Sequence, residues 1–304
     1  NGVVALSKSE EWAFPESLQP EQHDVMFDLE AILNSAVAVR AGVPTDAFTA
    51  AGLGTERAGN GIVIESGLVL TIGYLITEAN SIWLHTNDGG VVEGYPMAFD
   101  QATGFGLIRA LGPMNATPVS HGGSAECGQG DTVYIVGHGG AEHSLKATLV
   151  DKREFAGYWE YLLDEALLTA PAHPEWGGAG LFNEDGQLIG IGSLLVQEVL
   201  DGQEIQGNMF VPTDLLEPIL DSLLNTGSSG EAPRPWLGMF TAEDEGNPVV
   251  TGLSPRGPAA AAGIEPGDEI VEVGGTRIAS LPTMLRAIWQ LGAAGVDVPL
   301  RIER

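Results

Sequence analysis

Residues 169–192 read TAPAHPEWGGAGLFNEDGQLIGIG, and this stretch is the most informative about the fold. A glycine-rich turn comes first, and two short apolar runs follow it, separated by the polar residues 183–186. Two apolar runs joined by a turn that contains Asp-Gly predict a β-hairpin. The stretch therefore combines a tight glycine loop with a hairpin that begins immediately after it.

On both sides of this loop, the apolar residues follow the period of strands, from residue 37 onward. Short apolar or alternating runs are separated by Gly, Asn and Asp turns, and they predict strands at 37–40, 61–64, 68–71, 81–85, 105–108, 131–136, 145–150, 161–169, 188–195 and 208–211. About a dozen strands at this spacing predict a large all-β pair of barrels. A helix at 213–224 is predicted to close the region.

The segment 175–192 resembles the GNSGGALVNxxGxLIGI stretch of the HtrA family of serine proteases with PDZ domains, and the resemblance extends over about residues 25–304. It implies a mainly β chain, with a trypsin-like double β-barrel followed by a small α+β PDZ domain. The implied boundaries are an N-terminal arm and helix at 1–36, a trypsin-like domain at 37–224, a linker at 225–235 and a PDZ domain at 236–304. The family usually adds one more strand, so the PDZ domain is expected to be truncated.

The resemblance also implies that the catalytic positions are vacated. A serine protease needs a nucleophile, a base that takes its proton and an acid that fixes the tautomer of the base. In the family frames, Tyr74 takes the histidine position, Gly104 the aspartate position and Gly177 the serine position, with Trp176 adjacent. A phenol with a reference pKa of about 10 is a poor base at neutral pH. Because loss of the serine or histidine costs roughly 10⁶ in turnover, the prediction is a pseudoprotease rather than an enzyme.

Other histidines and serines are candidates for a rearranged site. The possible bases and nucleophiles are His121, His138, His143, His173, Ser120, Ser124, Ser144 and Ser193. None of them lies in a nucleophile-loop frame, so solvated or structural roles are expected. No histidine spacing typical of metal sites recurs, and neither a metal nor another cofactor is expected.

The segment 249–288 matches the AAxAGIxxGDxIxxVxG pattern of bacterial PDZ domains. PDZ grooves take a peptide C-terminus as an added strand and cap its carboxylate with backbone N–H groups. By this resemblance, the peptide site consists of a loop, a strand and one face of a helix at 281–291, formed by Trp236, Leu237, Gly238, Met239, Phe240, Thr241, Met284, Leu285 and Ile288. Some of these residues are also expected in the core of the domain.

The N-terminal region carries Trp12 and Phe14, followed by an apolar stripe at 21–33 that predicts an amphipathic helix. Two interpretations stay open. The segment is either an arm for oligomerisation, as in HtrA relatives that trimerise through N-terminal aromatic residues, or a helix that packs on its own barrel. The chain starts at Asn1 rather than Met, so a processed or trimmed N-terminus is expected.

Composition narrows the class of partners. The sequence has 41 acidic and 13 basic residues, which gives a net charge of −28 and disfavours nucleic acid or anionic lipid as a partner. Cys127 is the only cysteine, and a buried structural thiol is expected. No apolar run is long enough to predict a transmembrane helix.

These observations predict a non-catalytic protein that binds polypeptides or protein C-termini through its PDZ domain, as a scaffold, adaptor or chaperone-like module. The resemblance implies a homo-oligomer, expected to be a trimer, and an extracytoplasmic location in the bacterial periplasm or cell envelope. Two alternatives stay open. One is an active serine endopeptidase with a rearranged site, and the other is a structural oligomer subunit.

Overall fold

The computed structural model describes residues 12–200, 203–244 and 246–304. They form two compact units. The first unit comprises the described residues up to Lys152 together with Leu167–Ser229. The second comprises Arg153–Ala166 together with Gly230–Arg304. The predicted domain at 37–224 includes residues 153–166, whereas in the structure these residues group with the C-terminal residues. The local sequence of 153–166 indicates only strands and a turn, so it gives no sign of this grouping.

A closed antiparallel barrel of six strands comes first in the chain. Its strands are β1 (Ala36–Gly42), β2 (Glu56–Glu65), β3 (Leu68–Ile72), β4 (Ser81–His85), β5 (Val91–Phe99) and β6 (Phe105–Ala110). They pair in the order β1-β2-β3-β6-β5-β4. β5 was not predicted, because Gly94 and Pro96 interrupt its apolar pattern. Ile62, Leu70 and Leu107 are fully buried in this barrel.

A second closed barrel of six strands follows. Its strands are β7 (Thr132–Val136), β8 (Ser144–Gly157), β9 (Tyr161–Ala170), β10 (Gly180–Phe182), β11 (Leu188–Leu200) and β12 (Gln203–Pro212). They pair in the order β10-β11-β12-β9-β8-β7. Gly180 pairs with Ile191, so the hairpin predicted after the glycine loop is confirmed. Cys127 is half-buried and packs against the core of this barrel.

The helices of the described residues are short. They are α1 (Leu29–Leu33), α2 (Ala50–Leu53), α3 (Glu217–Thr226), α4 (Pro258–Ala261) and α5 (Leu281–Gln290), with 3-10 turns at Glu16–Leu18, Gln22–Asp24, Gly73–Leu75, Ala141–His143 and Thr213–Leu215. The single helix predicted over 21–33 is wrong. Val25 is extended, Met26 is 99% exposed, and Asp28 caps a new helix by accepting from the Ala31 N–H at 3.1 Å.

The aromatic residues of the N-terminal region lie on their own unit. The ring of Trp12 packs edge-on against His143 at 4.6 Å, and the ring of Phe14 against His173 at 5.2 Å. The Phe14 N–H also donates to the carbonyl of Glu142 at 2.9 Å. These contacts support the interpretation of intramolecular packing. The rest of the predicted arm, residues 1–11, lies outside the described residues.

The second unit contains a five-stranded sheet. Its strands are β13 (Met239–Asp244), β14 (Asn247–Leu253), β15 (Glu269–Val273), β16 (Thr276–Arg277) and β17 (Leu300–Glu303). The pairing order is β13-β14-β15-β16, and β17 pairs with β15. The Ser280 side chain caps α5 by accepting from the Thr283 N–H at 3.2 Å. The apolar stripe of α5 is buried against this sheet. The chain is therefore mainly β, with two barrels in the first unit and a small α+β domain in the second.

Candidate functional site

The three residues that the sequence places at catalytic positions, Tyr74, Gly104 and Gly177, lie in the first unit. Tyr74 sits in the 3-10 turn that follows β3, and Gly177 sits in the loop that precedes β10. A pocket of about 330 Å³ opens there, lined by Ala38, Arg40, Ala58, Gly59, Asn60, Tyr74, His138, Pro174, Glu175, Trp176 and Gly177. Two of the three positions, 74 and 177, are therefore brought together with Trp176 in one pocket.

The phenol of Tyr74 lies directly beside Gly177. Its hydroxyl donates to the carbonyl of Ser193 at 3.0 Å and is also hydrogen-bonded to the Trp176 side chain. A Cβ atom built on Gly177 would lie 2.8 Å from this hydroxyl oxygen. Burial raises the pKa of Tyr74 well above its ordinary value, and the bond with Trp176 opposes this only in part. The phenol is therefore a neutral hydrogen-bonding group rather than a base.

The backbone of the glycine loop is held by its neighbours. The Glu175 N–H donates to Nδ1 of His173 at 3.0 Å, and the Gly178 N–H donates to the carbonyl of Gly192 at 2.8 Å. The Gly177 carbonyl accepts from the Asn60 N–H at 2.7 Å. Two amides of the loop are thus committed to protein acceptors, so the loop does not offer them to a substrate carbonyl.

Asn60 on β2 connects several segments by hydrogen bonds, a role that the sequence did not predict. Its side-chain amide donates to the Glu175 carbonyl at 2.8 Å, and its side-chain oxygen accepts from the His138 N–H at 2.9 Å. With only 2% of its surface exposed, Asn60 joins the glycine loop to the first barrel. No local sequence signal distinguishes it, because its partners come from distant parts of the chain.

Gly104, which the sequence places at the aspartate position, contributes backbone groups and no carboxylate. Gly104 has a φ of 85°, and its carbonyl accepts from the Gly73 N–H at 2.7 Å. The carboxylate of Asp100, four residues earlier, accepts from the N–H and the hydroxyl of Thr103, both at 2.8 Å. This carboxylate therefore caps its own turn.

Three of the four candidate histidines have polar partners, whereas Nδ1 of His143 is buried without a hydrogen-bond partner. Nε2 of His173 lies 2.9 Å from the His143 carbonyl, and because Nδ1 accepts a hydrogen bond, Nε2 carries the proton. Burial lowers the pKa of both His173 and His138 below the ordinary value. Nδ1 of His121 lies 3.7 Å from Glu217. His138 alone among these four histidines lines the pocket.

The candidate serines do not complete a triad with that histidine. None of Ser120, Ser124, Ser144 and Ser193 is among the residues that line the pocket. The hydroxyl of Ser144 donates to the Gly140 carbonyl at 2.9 Å, and Ser193 is 4% exposed. Within residues 12–200, 203–244 and 246–304, no group of three or more His, Cys, Asp or Glu side chains could hold a metal ion.

Five of the PDZ residues singled out from the sequence belong to one buried apolar cluster, namely Leu237, Met239, Met284, Leu285 and Ile288. The loop residues Leu237 and Met239 are buried, while Trp236 and Phe240 are 37% and 38% exposed. On α5, three residues are fully buried, namely Met284, Leu285 and Ile288. Gly238 has a φ of 74°, which glycine adopts without strain and which turns the loop.

A carboxylate already lies at this loop. The Glu160 side chain accepts from the Leu237 N–H at 2.9 Å and from the Met239 N–H at 2.9 Å. The Tyr158 carbonyl accepts from the Thr241 N–H at 2.9 Å. Sequence reasoning missed these residues. Their only signal is the aromatic run Tyr158-Trp159-Glu160-Tyr161 between two predicted strands.

Comparison with known proteins identifies both domains. The family described as a trypsin-like peptidase domain matches residues 59–191, and the PDZ domain family matches residues 249–304. The "Serine endoprotease DegS" of Escherichia coli is 29% identical over 248 residues, which are 74% of this chain and 68% of that protein. A "Probable periplasmic serine endoprotease DegP-like" of Halomonas elongata is 26% identical over 260 residues, or 81% of this chain. The chain spans only 53% of the length of that DegP-like relative.

A solved structure, "HtrA-type protease AlgW with tripeptide", has the same fold. It aligns with a TM-score of 0.54 and 17% identity, and the alignment covers 91% of each chain. In the described part of the chain, no helix is both long and apolar enough to cross a membrane.

Proposed function

Because the chain is an HtrA/DegS-like protein, with a trypsin-like serine protease fold and a PDZ domain, we propose that it is a pseudoprotease that binds polypeptides or protein C-termini. The trypsin-like domain then serves as a scaffold rather than as a catalyst. The PDZ groove provides the binding site, and the protein acts as an adaptor or chaperone-like module.

One observation supports the proposed loss of catalysis. The Tyr74 hydroxyl occupies the space that a side chain at Gly177 would need, at 2.8 Å from the position of its Cβ. Nucleophilic catalysis by a serine needs a hydroxyl and a base beside it. Here a neutral phenol with a raised pKa stands at one position, and a residue without a side chain stands at the other. A protease without its triad can retain a rate enhancement of roughly 10³–10⁴-fold over water through oxyanion stabilisation and substrate binding. That enhancement also needs backbone N–H groups that are free to donate to the substrate.

The names of the relatives favour the alternative of an active serine endopeptidase. Both relatives described above are serine endoproteases by name. In this chain, however, His138 is the one candidate base at the pocket, and burial lowers its pKa. A histidine without a serine beside it does not make an acyl-enzyme. We therefore rank the endopeptidase second.

An activity assay separates these two functions. The full chain is incubated with an unfolded casein-type substrate and with a fluorophosphonate probe, beside a DegS-type protease as a positive control. We expect neither cleavage nor labelling of this chain. Stoichiometric labelling of any serine, located by mass spectrometry, would establish the endopeptidase and overturn the proposal.

The location and assembly of the protein also belong to this proposal. The DegP-like relative is periplasmic by name, which supports an extracytoplasmic location in a bacterial periplasm or cell envelope. A homo-oligomer, specifically a trimer, follows from the resemblance. The net charge of −28 makes basic polypeptides better partners than acidic ones, since like charges slow association.

A further inference from the structure

A hairpin of the second unit lies on the carboxylate loop of the PDZ domain. It comprises Arg153–Ala166, the adjoining ends of β8 and β9, and is here called the tip hairpin. We propose that the tip hairpin is an internal ligand of the PDZ groove, with the Glu160 side chain in the place of a peptide C-terminus. A partner peptide then binds only by displacing it. This inference rests on the proposed function, because it concerns the regulation of the same groove.

The first support is the carboxylate itself. One oxygen of Glu160 lies 2.9 Å from the Leu237 nitrogen and the other lies 2.9 Å from the Met239 nitrogen. Gly238 contributes a third backbone hydrogen bond. Successive backbone donors around one carboxylate are the means by which PDZ loops hold a terminal carboxylate. Such charge-assisted bonds are stronger than neutral ones, so the loop is occupied by a good acceptor.

The second support is the register of the backbone. The Thr241 N–H donates to the Tyr158 carbonyl at 2.9 Å, while Glu160 lies at Leu237 and Met239. Residue numbers therefore rise along the tip hairpin as they fall along β13, which is an antiparallel arrangement. Peptides that extend a sheet edge use the same main-chain bonds. The tip hairpin thus imitates the backbone of a bound peptide as well as its terminus.

The third support is the apolar pocket. Leu162, two residues after Glu160, is 8% exposed and belongs to the same buried cluster as Met239, Met284 and Ile288. These residues are the ones expected to receive the apolar side chain of a peptide. Because Leu162 packs among them, the tip hairpin fills the position that such a side chain would take.

The backbone conformation of Glu160 indicates that its carboxylate, rather than the shape of the turn, accounts for the choice of Glu at this position. Its φ is 63°, in the left-handed region that residues other than Gly, Asn and Asp rarely adopt. The turn alone would favour glycine at this position. The hydrogen bonds of the carboxylate offset this local cost, so the two contributions can be separated by substitution.

Ion pairs also connect the tip hairpin to α5, and they are weak enough for a competing ligand to break. Arg286 of α5 pairs with Asp164 on β9 at 2.5 Å and with Glu154 on β8. The Asp164 side chain is 88% exposed, so the pair is screened by salt and contributes little. Both strands of the tip hairpin are therefore attached to the groove helix by contacts that a competing ligand can break.

Hydrogen exchange of the full chain tests the internal ligand without any peptide. The variants are Glu160→Gln and Glu160→Gly. The second favours the turn and still removes the carboxylate, so it keeps the hairpin folded. We expect the amides of 237–241 to exchange at least about tenfold faster in both variants, as the loss of charge-assisted bonds implies. Glu184→Gln, in an exposed turn, is the control for charge and should exchange like the wild type. Unchanged exchange in both Glu160 variants would overturn the inference.

Peptide binding by the same proteins then tests displacement. The probe is a labelled decapeptide with a free C-terminal leucine, measured by fluorescence anisotropy. We expect the apparent Kd to be at least about tenfold lower in the Glu160 variants than in the wild type and the Glu184 control. Equal affinities together with unchanged exchange would refute the internal ligand and leave groove binding intact. Faster exchange with no binding by any form would instead refute peptide binding and leave the internal ligand standing.

Discussion

The hydroxyl oxygen of Tyr74 lies 2.8 Å from the position that a Cβ atom on Gly177 would take. This distance is shorter than an ordinary contact between carbon and oxygen, so the ring and a side chain at position 177 exclude each other. The two replacements are therefore linked. A residue without a side chain at 177 makes room for the phenol, which then bonds to Ser193 and Trp176.

We expect Gly177→Ser to destabilise the chain by about 1–3 kcal/mol, because a new Cβ and hydroxyl would overpack against Tyr74. In a Tyr74→Ala background the same substitution should cost less, since the ring is gone. Urea unfolding of the four proteins in this double-mutant cycle gives the coupling free energy. An equal cost of Gly177→Ser in both backgrounds would show that the ring does not exclude a side chain there.

The free energy of unfolding should depend on His173 at low pH. Burial lowers the pKa of this ring from its ordinary value of 6.5. For a histidine with a lowered pKa in the folded state, the stabilisation is complete above the unfolded pKa and is lost as the pH falls through 6.5 toward the folded pKa. Protonation also removes Nδ1 as the acceptor of the Glu175 N–H.

The measurement compares urea unfolding of the wild type and His173→Gln between about pH 8 and about pH 5. Since other groups of the chain also contribute to the pH dependence, the difference between the two proteins is the informative quantity. The wild type should lose more stability than the variant on acidification. His23→Gln is the control, because the His23 side chain is 73% exposed. Parallel pH profiles for wild type and His173→Gln would contradict the prediction.

Thr169 offers a stabilising substitution. Its hydroxyl is buried and has no hydrogen-bond partner. Valine has nearly the same shape, so Thr169→Val removes the cost of an unsatisfied polar atom and should stabilise the chain by about 1 kcal/mol. Thr71→Val is the matched control, because the buried Thr71 hydroxyl donates to the Asn60 carbonyl at 2.6 Å and its loss should destabilise. A thermal melt that shifts in the same direction for both variants would refute this reasoning.

Recognition of a carboxylate can be tested with a peptide and its amide. The loop from Leu237 to Met239 directs its N–H groups at the Glu160 carboxylate, so an incoming peptide should need a C-terminal carboxylate as well. By calorimetry we expect the free-acid peptide to bind Glu160→Gln with micromolar affinity, about −8 kcal/mol. The C-terminal amide should bind at least about tenfold more weakly. Equal affinities of acid and amide would mean that the loop does not select a terminus.

Assembly can be tested by sedimentation of the intact chain and of a form that starts at Val37. The resemblance predicts that the intact chain is a trimer and that removal of the N-terminal region abolishes it. The contacts of Trp12 with His143 and of Phe14 with His173 instead support packing within one chain. If both forms sediment as monomers, the trimer is ruled out and the region is a part of its own barrel.

Several features of the fold were predictable because they depend on local patterns. The alternation of apolar residues located strands such as β4 and β6, and the turn at 183–186 located the hairpin of β10 and β11. β5 is missing from the prediction and the N-terminal helix is mispredicted, both for local reasons. Pro96 interrupts the apolar pattern of a strand that pairs with β4 and β6 in the barrel, and Asp28 begins a shorter helix than the apolar stripe suggests.

The absence of a serine, a histidine and an aspartate from the catalytic positions is a prediction that follows from aligning the frames of the loops. The PDZ loop is likewise predicted from local features, its glycines and its apolar spacing. The side chains that pack at these places became known from the three-dimensional structure. Tyr74 reaches Gly177 across about a hundred residues, and Glu160 reaches Leu237 across 77. Contacts between such distant residues depend on how the strands are paired and packed, and no local pattern encodes them.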